Sequence, residues 1–365
     1  MNFDILKSEE KAVYTLRSLY RSYGYLPFKM SKFEEYDLYL RNKDFLVSDK
    51  VITFNDTNGK LMALKPDVTL SIIKNGEDAA GCKQKVCYNE NVYRVSGSTH
   101  QFKEIMQTGI ECIGDIDAYD IFEVISLAAA SLELISPEHV IEISHLGIIE
   151  ALLDESTDDK QLKKEMTVLI AEKNAHDLER LCQKYGVSNE CTTALCTVAR
   201  LYGDMDSVLL RLDALCVSDA ARSAMNELAE LKALLENAGI ADKVRFDFSV
   251  LNDMSYYNGI VFRGFISGIY ESVLAGGRYD RLLRRMGRRA GAVGFAIYLD
   301  LLEGLDRRGR SLDVDVLVLY DEGTVSEAAK AAKRLTEEGK SVSVQRAIPP
   351  TLRFRETEDL RKGAK

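Results

Sequence analysis

Apolar positions recur with helical, then strand, then helical, then strand periodicity along this chain. Residues 8 to 23 place Val13, Leu16, Tyr20 and Tyr23 at helical spacing, with Ser8 as a candidate N-cap and Gly24 as a stop. They predict an amphipathic first helix. Between Phe45 and Lys65 the run VITFNDTNGKLMALK has apolar segments on both sides of Asp56-Thr57-Asn58-Gly59, the pattern of a hairpin. Residues 117 to 135 return to helix, and Val140 to Ser144 to strand.

From about 146 to 240 the pattern is almost entirely helical, as in Met225, Leu228, Leu231 and Leu235 closed by Gly239. Val244, Phe246, Phe248 and Val250 then alternate with polar residues as a half-buried strand, and Asn252-Asp253 turns toward a second strand over Ile260 to Phe265. Val314 to Tyr320, Ser326 to Glu338 and Ser341 to Val344 predict one β-α-β unit. The remainder, IPPTLRFRETEDLRKGAK, has few apolar residues. The expected organisation is a core over 1–310 with a helical insert at about 146–240, and a separate C-terminal unit over 311–365.

Composition narrows the class. The chain has 365 residues, 46% hydrophobic and 29% charged, enough for a large core. No apolar run reaches membrane-spanning length, and MNFDILKSEE has neither a basic nor an apolar signal region, which predicts a cytoplasmic protein with no membrane partner. Seven cysteines without a C-x-x-C read as reduced thiols, and four histidines without paired-ligand spacing predict no metal. A net charge of −9 argues against nucleic acid as the main partner. Arg278, Arg281, Arg284, Arg285, Arg288 and Arg289 nevertheless crowd together, as a solvated helix end or as a surface for phosphate or an acidic partner.

Several segments carry chemistry. Asp67 and Thr69 precede a short helix beginning near Leu70, where the carboxylate can cap the helix or accept from an ammonium group. Gln107 and Glu111 lie four apart in an apolar stretch that reads as strand, so they share a face. Such a buried polar pair needs a partner, either an internal hydrogen bond or a ligand with donors. Tyr256 and Tyr257 place phenol hydroxyls at the mouth of a sheet. In Ala275-Gly276-Gly277-Arg278-Tyr279-Asp280, the glycines permit a tight turn or a close approach of backbone to a ligand.

Taken in order, these motifs resemble the histidyl-tRNA synthetases over roughly residues 5 to 305. KPDVT is similar to the family's R-P-E-G-T segment, and CYNENVYR with QFKEIMQTGIECIG to its motif 2. SVLNDMSYYNGIVF resembles the histidine motif L-V-R-G-L-D-Y-Y-x-x-T-V-F, and LAGGRYDRLL with AVGFAIYLDLL resembles A-G-G-R-Y-D and motif 3. The resemblance implies an α+β fold, the class II synthetase core: a mainly antiparallel sheet flanked by helices, normally dimeric. It places the amino-group contacts on Asp67, Thr69 and Gln107 and the imidazole contacts on Glu111 and Tyr257. Tyr256 and Tyr279 fall in the same pocket, and Arg94 matches the motif 2 arginine that touches carboxylate and α-phosphate.

The departures from that pattern are Ser96 at the adenine-reading acid, Asn252 at the arginine of the histidine motif, Ser255 at its following acid and Leu301 at the motif 3 arginine. Each positioned cation in such chemistry is typically worth roughly 10²–10³ in rate, so losing two implies a chain without catalytic residues. The C-terminal unit resembles only the beginning of an anticodon-binding domain. Together with P-D-x-T at Pro66 to Thr69, this is similar to the paralogous regulatory-subunit family of ATP phosphoribosyltransferase. Members of that family need no cofactor, join the short-form catalytic subunit in a hetero-octamer, and take part in feedback inhibition by histidine. Two other readings are a divergent histidyl-tRNA synthetase and a synthetase-like module that senses tRNA through the arginine run.

Overall fold

The computed structural model describes residues 7–42, 51–76, 81, 83–95, 101–215, 218–251, 254, 256–302 and 312–362. Two compact units divide the chain, Met1–Glu303 and Gly304–Lys365. The first begins with α1 (Ser8–Ser22), β1 (Leu26–Pro27), β2 (Phe33–Glu35), α2 (Tyr36–Arg41), β3 (Thr53–Asn55), β4 (Leu61–Leu64) and α3 (Thr69–Asn75). It continues with β5 (Gln84–Val95), β6 (Phe102–Gly114), α4 (Ala118–Ile135) and β7 (His139–His145). Six helices follow, α5 (Leu146–Ser156), α6 (Lys160–Ala171), α7 (Ala175–Lys184), α8 (Asn189–Ala199), α9 (Met205–Asp213) and α10 (Asp219–Asn237), with the short strand β8 (Tyr202–Gly203) among them. Then come β9 (Val244–Asp247), β10 (Ile260–Ile266), β11 (Leu274–Arg278), α11 (Asp280–Arg285), β12 (Gly291–Tyr298) and a 3-10 turn, Leu299–Leu302.

The main sheet has nine strands in the order β1-β5-β6-β12-β11-β10-β7-β9-β8. Its neighbours are antiparallel except β1–β5 and β7–β9, so the sheet is mainly antiparallel in an α+β fold. One face is covered by α1 and α4. The start of α4 is a capping box: Asp117 accepts from the Tyr119 and Asp120 N–H groups, and Asp120 accepts from the Asp117 N–H. Tyr20 on α1 shares a hydrogen bond with Ser131 on α4 at 3.0 Å and packs its ring edge on Phe295 of β12. On the other face Val86, Ile113 and Ala292 pack against Leu70 and Ile72 of α3 and Leu282 of α11, beside the site.

The expected hairpin is present as β3 and β4, where Asp56 accepts from the Asn58 and Lys60 N–H groups and Gly59 takes φ 79°. Three local expectations differ. Lys7, not Ser8, is the N-cap of α1, its N–H bound by Glu10. The buried stripe of α1 is Ala12, Leu16 and Tyr20, while Tyr23 is exposed because it lies at the C-cap, where helical geometry ends. Strand β9 stops at Asp247 rather than Val250, since the Asp247 carboxylate accepts from the Ser249 N–H and turns the chain.

The second unit is a parallel sheet β14-β13-β15, built from β13 (Val314–Leu319), α12 (Val325–Glu337), β14 (Val342–Gln345) and β15 (Phe354–Asp359). Val316, Val318, Ala328, Ala331 and Leu335 form its core. Strand β15 comes from the polar remainder that periodicity leaves without an element. It is an edge strand, held by its ladder to β13 and by ion pairs such as Arg334–Glu358 at 2.7 Å and Lys340–Glu356 at 2.8 Å.

Cys87, Cys112 and Cys182 are buried free thiols, Cys191 and Cys196 are half-buried, and Cys82 and Cys216 lie outside the described residues. Among the described residues there is no His, Cys, Asp or Glu group suited to a metal, and no helix long and apolar enough to cross a membrane.

Candidate functional site

Side chains alternate across a strand, and the registers of five strands bring one set of alternate residues together. Glu111 on β6, Gly294 on β12, Gly277 on β11 and Val261 on β10 form one row across the sheet. The next row is Tyr88 on β5, Gly109, Ala296, Ala275 and Arg263, and one step further Gln107 faces Tyr298. The middle of this face carries only hydrogens and methyl groups. A cavity of about 390 Å³ stands over it, a volume usual for a small-molecule site.

All eight residues singled out from the sequence line this cavity: Asp67, Thr69, Arg94, Gln107, Glu111, Tyr256, Tyr257 and Tyr279. Strand β6 carries Gln107 and Glu111 on one face, as period-2 spacing predicts. Asp67 serves both readings of its segment. Its carboxylate accepts from the Leu70 N–H at 2.9 Å at the start of α3, and it also faces the cavity. Arg94 donates from Nε to the Pro66 carbonyl at 3.1 Å, which ties the segment before α3 to β5.

Glu111 is the centre of the site. It accepts from Thr69 Oγ1 at 2.8 Å and from the Tyr279 hydroxyl, so its hydrogen-bonding partners are two hydroxyls and no cation. Burial pushes its carboxyl up to about 8, opposed by those two hydrogen bonds and reinforced by the nearby Asp67 charge. Burial likewise raises Asp67, and the Leu70 N–H and Arg94 pull the other way. Two buried acids whose charged forms are disfavoured make a site prepared for a cationic or proton-sharing ligand.

Glycines make room for this arrangement. A Cβ on Gly294 would overlap Glu111 Oε2, and one on Gly277 would come within 2.8 Å of Tyr257 Cδ1. Gly276 and Gly277 therefore lie within β11 and serve close packing of side chain and backbone, not the tight turn that was the alternative. On the reverse face a Cβ on Gly276 would meet Phe262 and Phe295 at 2.6 Å.

Tyr88, Arg263 and Tyr298 also line the cavity and escaped sequence reasoning. Period 2 holds on each of their strands, but only the pairing of strands distant in sequence places them beside Gln107 and Glu111. Of the residues at the departed positions, Leu301 sits half-buried in the turn after β12 and is not among those lining the cavity. Ser96, Asn252 and Ser255 lie outside the described residues.

The arginine run is dispersed into separate contacts. Arg278 pairs with Asp280 at 2.8 Å, Arg281 with Glu150 at 2.7 Å, and Arg288 donates to the Ile73 carbonyl at 3.0 Å. Three of the six guanidinium groups thus hold α11 and its neighbours within the fold, which leaves less of a basic surface for phosphate.

Comparison with known proteins agrees with this architecture. The family model for histidyl-tRNA synthetase matches residues 4–302. The ATP phosphoribosyltransferase regulatory subunit of Oceanobacillus iheyensis is 28% identical over 348 residues, covering 94% of this chain and 85% of that protein. A solved structure from Bacillus halodurans, described as an ATP phosphoribosyltransferase regulatory subunit/histidyl-tRNA synthetase, superposes with TM-score 0.76 at 24% identity, over 97% of this chain and 94% of the other. A chain of the ATP phosphoribosyl transferase complex from Thermotoga maritima shares the fold, with TM-score 0.63 at 22% identity over 80% of this chain and 97% of its own length. With residues 4–302, most of its length, matched by that one family model, the chain belongs to the histidyl-tRNA synthetase family.

Proposed function

We propose that this chain is the regulatory subunit of a short-form ATP phosphoribosyltransferase, the first enzyme of histidine biosynthesis, and that it senses histidine without making or breaking bonds itself. The observation that carries the reading is the selectivity of what is kept. All eight residues that the resemblance implies for the amino acid line one cavity, whereas the positions it implies for ATP and activation hold Ser96, Asn252, Ser255 and Leu301. Aminoacylation is lost with those cations. Asp67, Thr69 and Gln107 meet the ligand's ammonium group, Glu111 and Tyr257 its imidazole, and Arg94 its carboxylate, with Tyr256 and Tyr279 closing the walls.

In this reading residues 1–310 are the effector-binding core and dimerise, 311–365 form a separate unit, and the assembly with the catalytic subunit is a cytoplasmic hetero-octamer. Histidine acts by linkage: it shifts the assembly toward the arrangement that binds it better, and a coupling of about 1–3 kcal/mol suffices for feedback. The relative from Oceanobacillus iheyensis carries the regulatory-subunit name over nearly the same length, which supports the assignment.

The test is reconstitution. The short-form catalytic subunit is assayed alone, with this chain, and with this chain plus histidine; activity should rise on adding the chain and fall on adding histidine. Glu111→Ala should keep the activation and lose the inhibition. Histidine-dependent ATP–pyrophosphate exchange by the purified chain would establish the divergent synthetase instead.

A further inference from the structure

A zwitterion entering this cavity brings a carboxylate toward two acids, Asp67 and Glu111. Burial of that carboxylate's charge beside them is costly unless a cation meets it. Arg94 is one candidate, but its Nε is already engaged with the Pro66 carbonyl. The structure brings a second arginine to the cavity, Arg263, one residue beyond the end of the histidine motif on β10.

We propose that Arg263, together with the Tyr298 hydroxyl, joins Arg94 on the ligand's carboxylate and sets the cavity's preference for an intact α-amino acid over the corresponding amino alcohol or amine. The proposal rests on the histidine reading of the same site.

Three features support it. Arg263 stands in register with Ala275, which stands in register with Ala296, so the two neighbouring strands present only methyl groups beside it. Three strand spacings, about 14 Å of backbone, separate β10 from β6, which puts Arg263 at the opposite end of the cavity floor from Glu111. Tyr298 faces Gln107, the charge of Arg94 acts on its hydroxyl, and its O–H can donate to a ligand. The charge of Arg263 is also felt at that hydroxyl, which burial otherwise raises. On its other side Arg263 stands opposite Glu142 of β7, and a guanidinium has five donors with which to serve more than one acceptor. The cavity thus holds a buried acid on β6, Glu111, and a guanidinium on β10, Arg263, with Arg94 and Tyr298 also lining it, which matches an amino acid whose side chain carries the cationic or protonated group.

Calorimetric titration of the full chain with histidine, histidinol and histamine tests this. A charge-assisted hydrogen bond to the carboxylate should make histidine bind roughly 10- to 100-fold more tightly than the other two. Arg263→Gln should remove most of that preference by weakening histidine alone, while Arg263→Lys should restore part of it. Tyr298→Phe should lose a smaller part, and it serves as the independent variant if Arg263→Gln melts early. Equal weakening of all three ligands by Arg263→Gln, or unchanged histidine affinity in both variants, would overturn the assignment. Failure of the histidine reading looks different: the unaltered chain would bind none of the three, and the carboxylate site would fall with it.

Discussion

Glu111 and Glu123 are both almost wholly buried carboxylates on the main body, at 3% and 4% exposure, yet they have opposite company. Glu123 lies on α4, on the helix-covered side of the sheet. Lys85 donates to it at 2.5 Å and the Tyr25 hydroxyl at 3.0 Å, so its charge is answered within the protein. Glu111 lies on the opposite face, lining the cavity, and its hydrogen bonds come from hydroxyls only. Lys65 and Glu90 repeat the first pattern, with a fully buried ammonium group at 2.9 Å from its carboxylate. A buried acid that the fold supplies with a cation is part of the scaffold; one supplied only with hydroxyls leaves room for a cation from outside.

The two acids should respond differently to loss of their surroundings. Lys85→Ala should cost about 2–3 kcal/mol in a denaturant melt, somewhat less than for a fully enclosed pair because Lys85 is 23% exposed. Histidine affinity of the folded variant should stay within about twofold. Glu111→Gln should do the reverse: affinity falls roughly 10- to 100-fold because an amide can neither ionise beside an imidazolium nor share a proton with it, and the fold is not weakened.

The pH dependence sharpens the same contrast. Glu111 titrates near its ordinary 4.5 in the unfolded chain and at about 8 in the folded one. Between those values the folded state holds a proton that the unfolded state has released, so this group's contribution to stability falls as pH rises through the window and levels off above 8. Glutamine does not titrate. The melting temperature of Glu111→Gln relative to the unaltered chain should therefore climb from pH 5 to pH 8, and a flat difference would mean that Glu111 is already charged at neutral pH. Added histidine should shrink the difference by stabilising only the chain that keeps the carboxylate.

Gly294→Ala approaches the contrast through space. Its new Cβ would overlap Glu111 Oε2 and must push that carboxylate off the Thr69 and Tyr279 hydroxyls. Histidine affinity should drop by roughly tenfold or more, with a stability loss of about 1–3 kcal/mol from overpacking.

What could be read from the sequence follows the same division. Gln107 and Glu111 were legible because both lie on one strand, where spacing of four fixes a common face. Asp67, Tyr257 and Tyr279 came through motif order. Arg263 and Tyr298 were not legible, because their neighbours are set by β10–β11, β11–β12 and β12–β6 pairing, a tertiary fact with no local signal. Strand β15 was missed for a different reason: RFRETED alternates charge rather than apolarity, and an edge strand needs little burial to join a ladder. Gly276 and Gly277 show that a glycine pair without register information reads as a turn even when it lies in a strand.

The smallest effect is expected at Leu301, where the proposed reading has the activation chemistry lost. Leu301→Arg restores the arginine type that the family resemblance implies at that position, on a 3-10 turn that does not line the cavity. Activation of an amino acid needs several cations in place at once, and residues that act as a unit are grossly non-additive. With Asn252 and Ser96 unchanged, one arginine should produce no measurable histidine-dependent ATP–pyrophosphate exchange, and histidine affinity should change by less than about twofold. Exchange above background would mean that the activation side is one substitution from working, and the contrast between a kept amino-acid end and an abandoned nucleotide end would have to be redrawn.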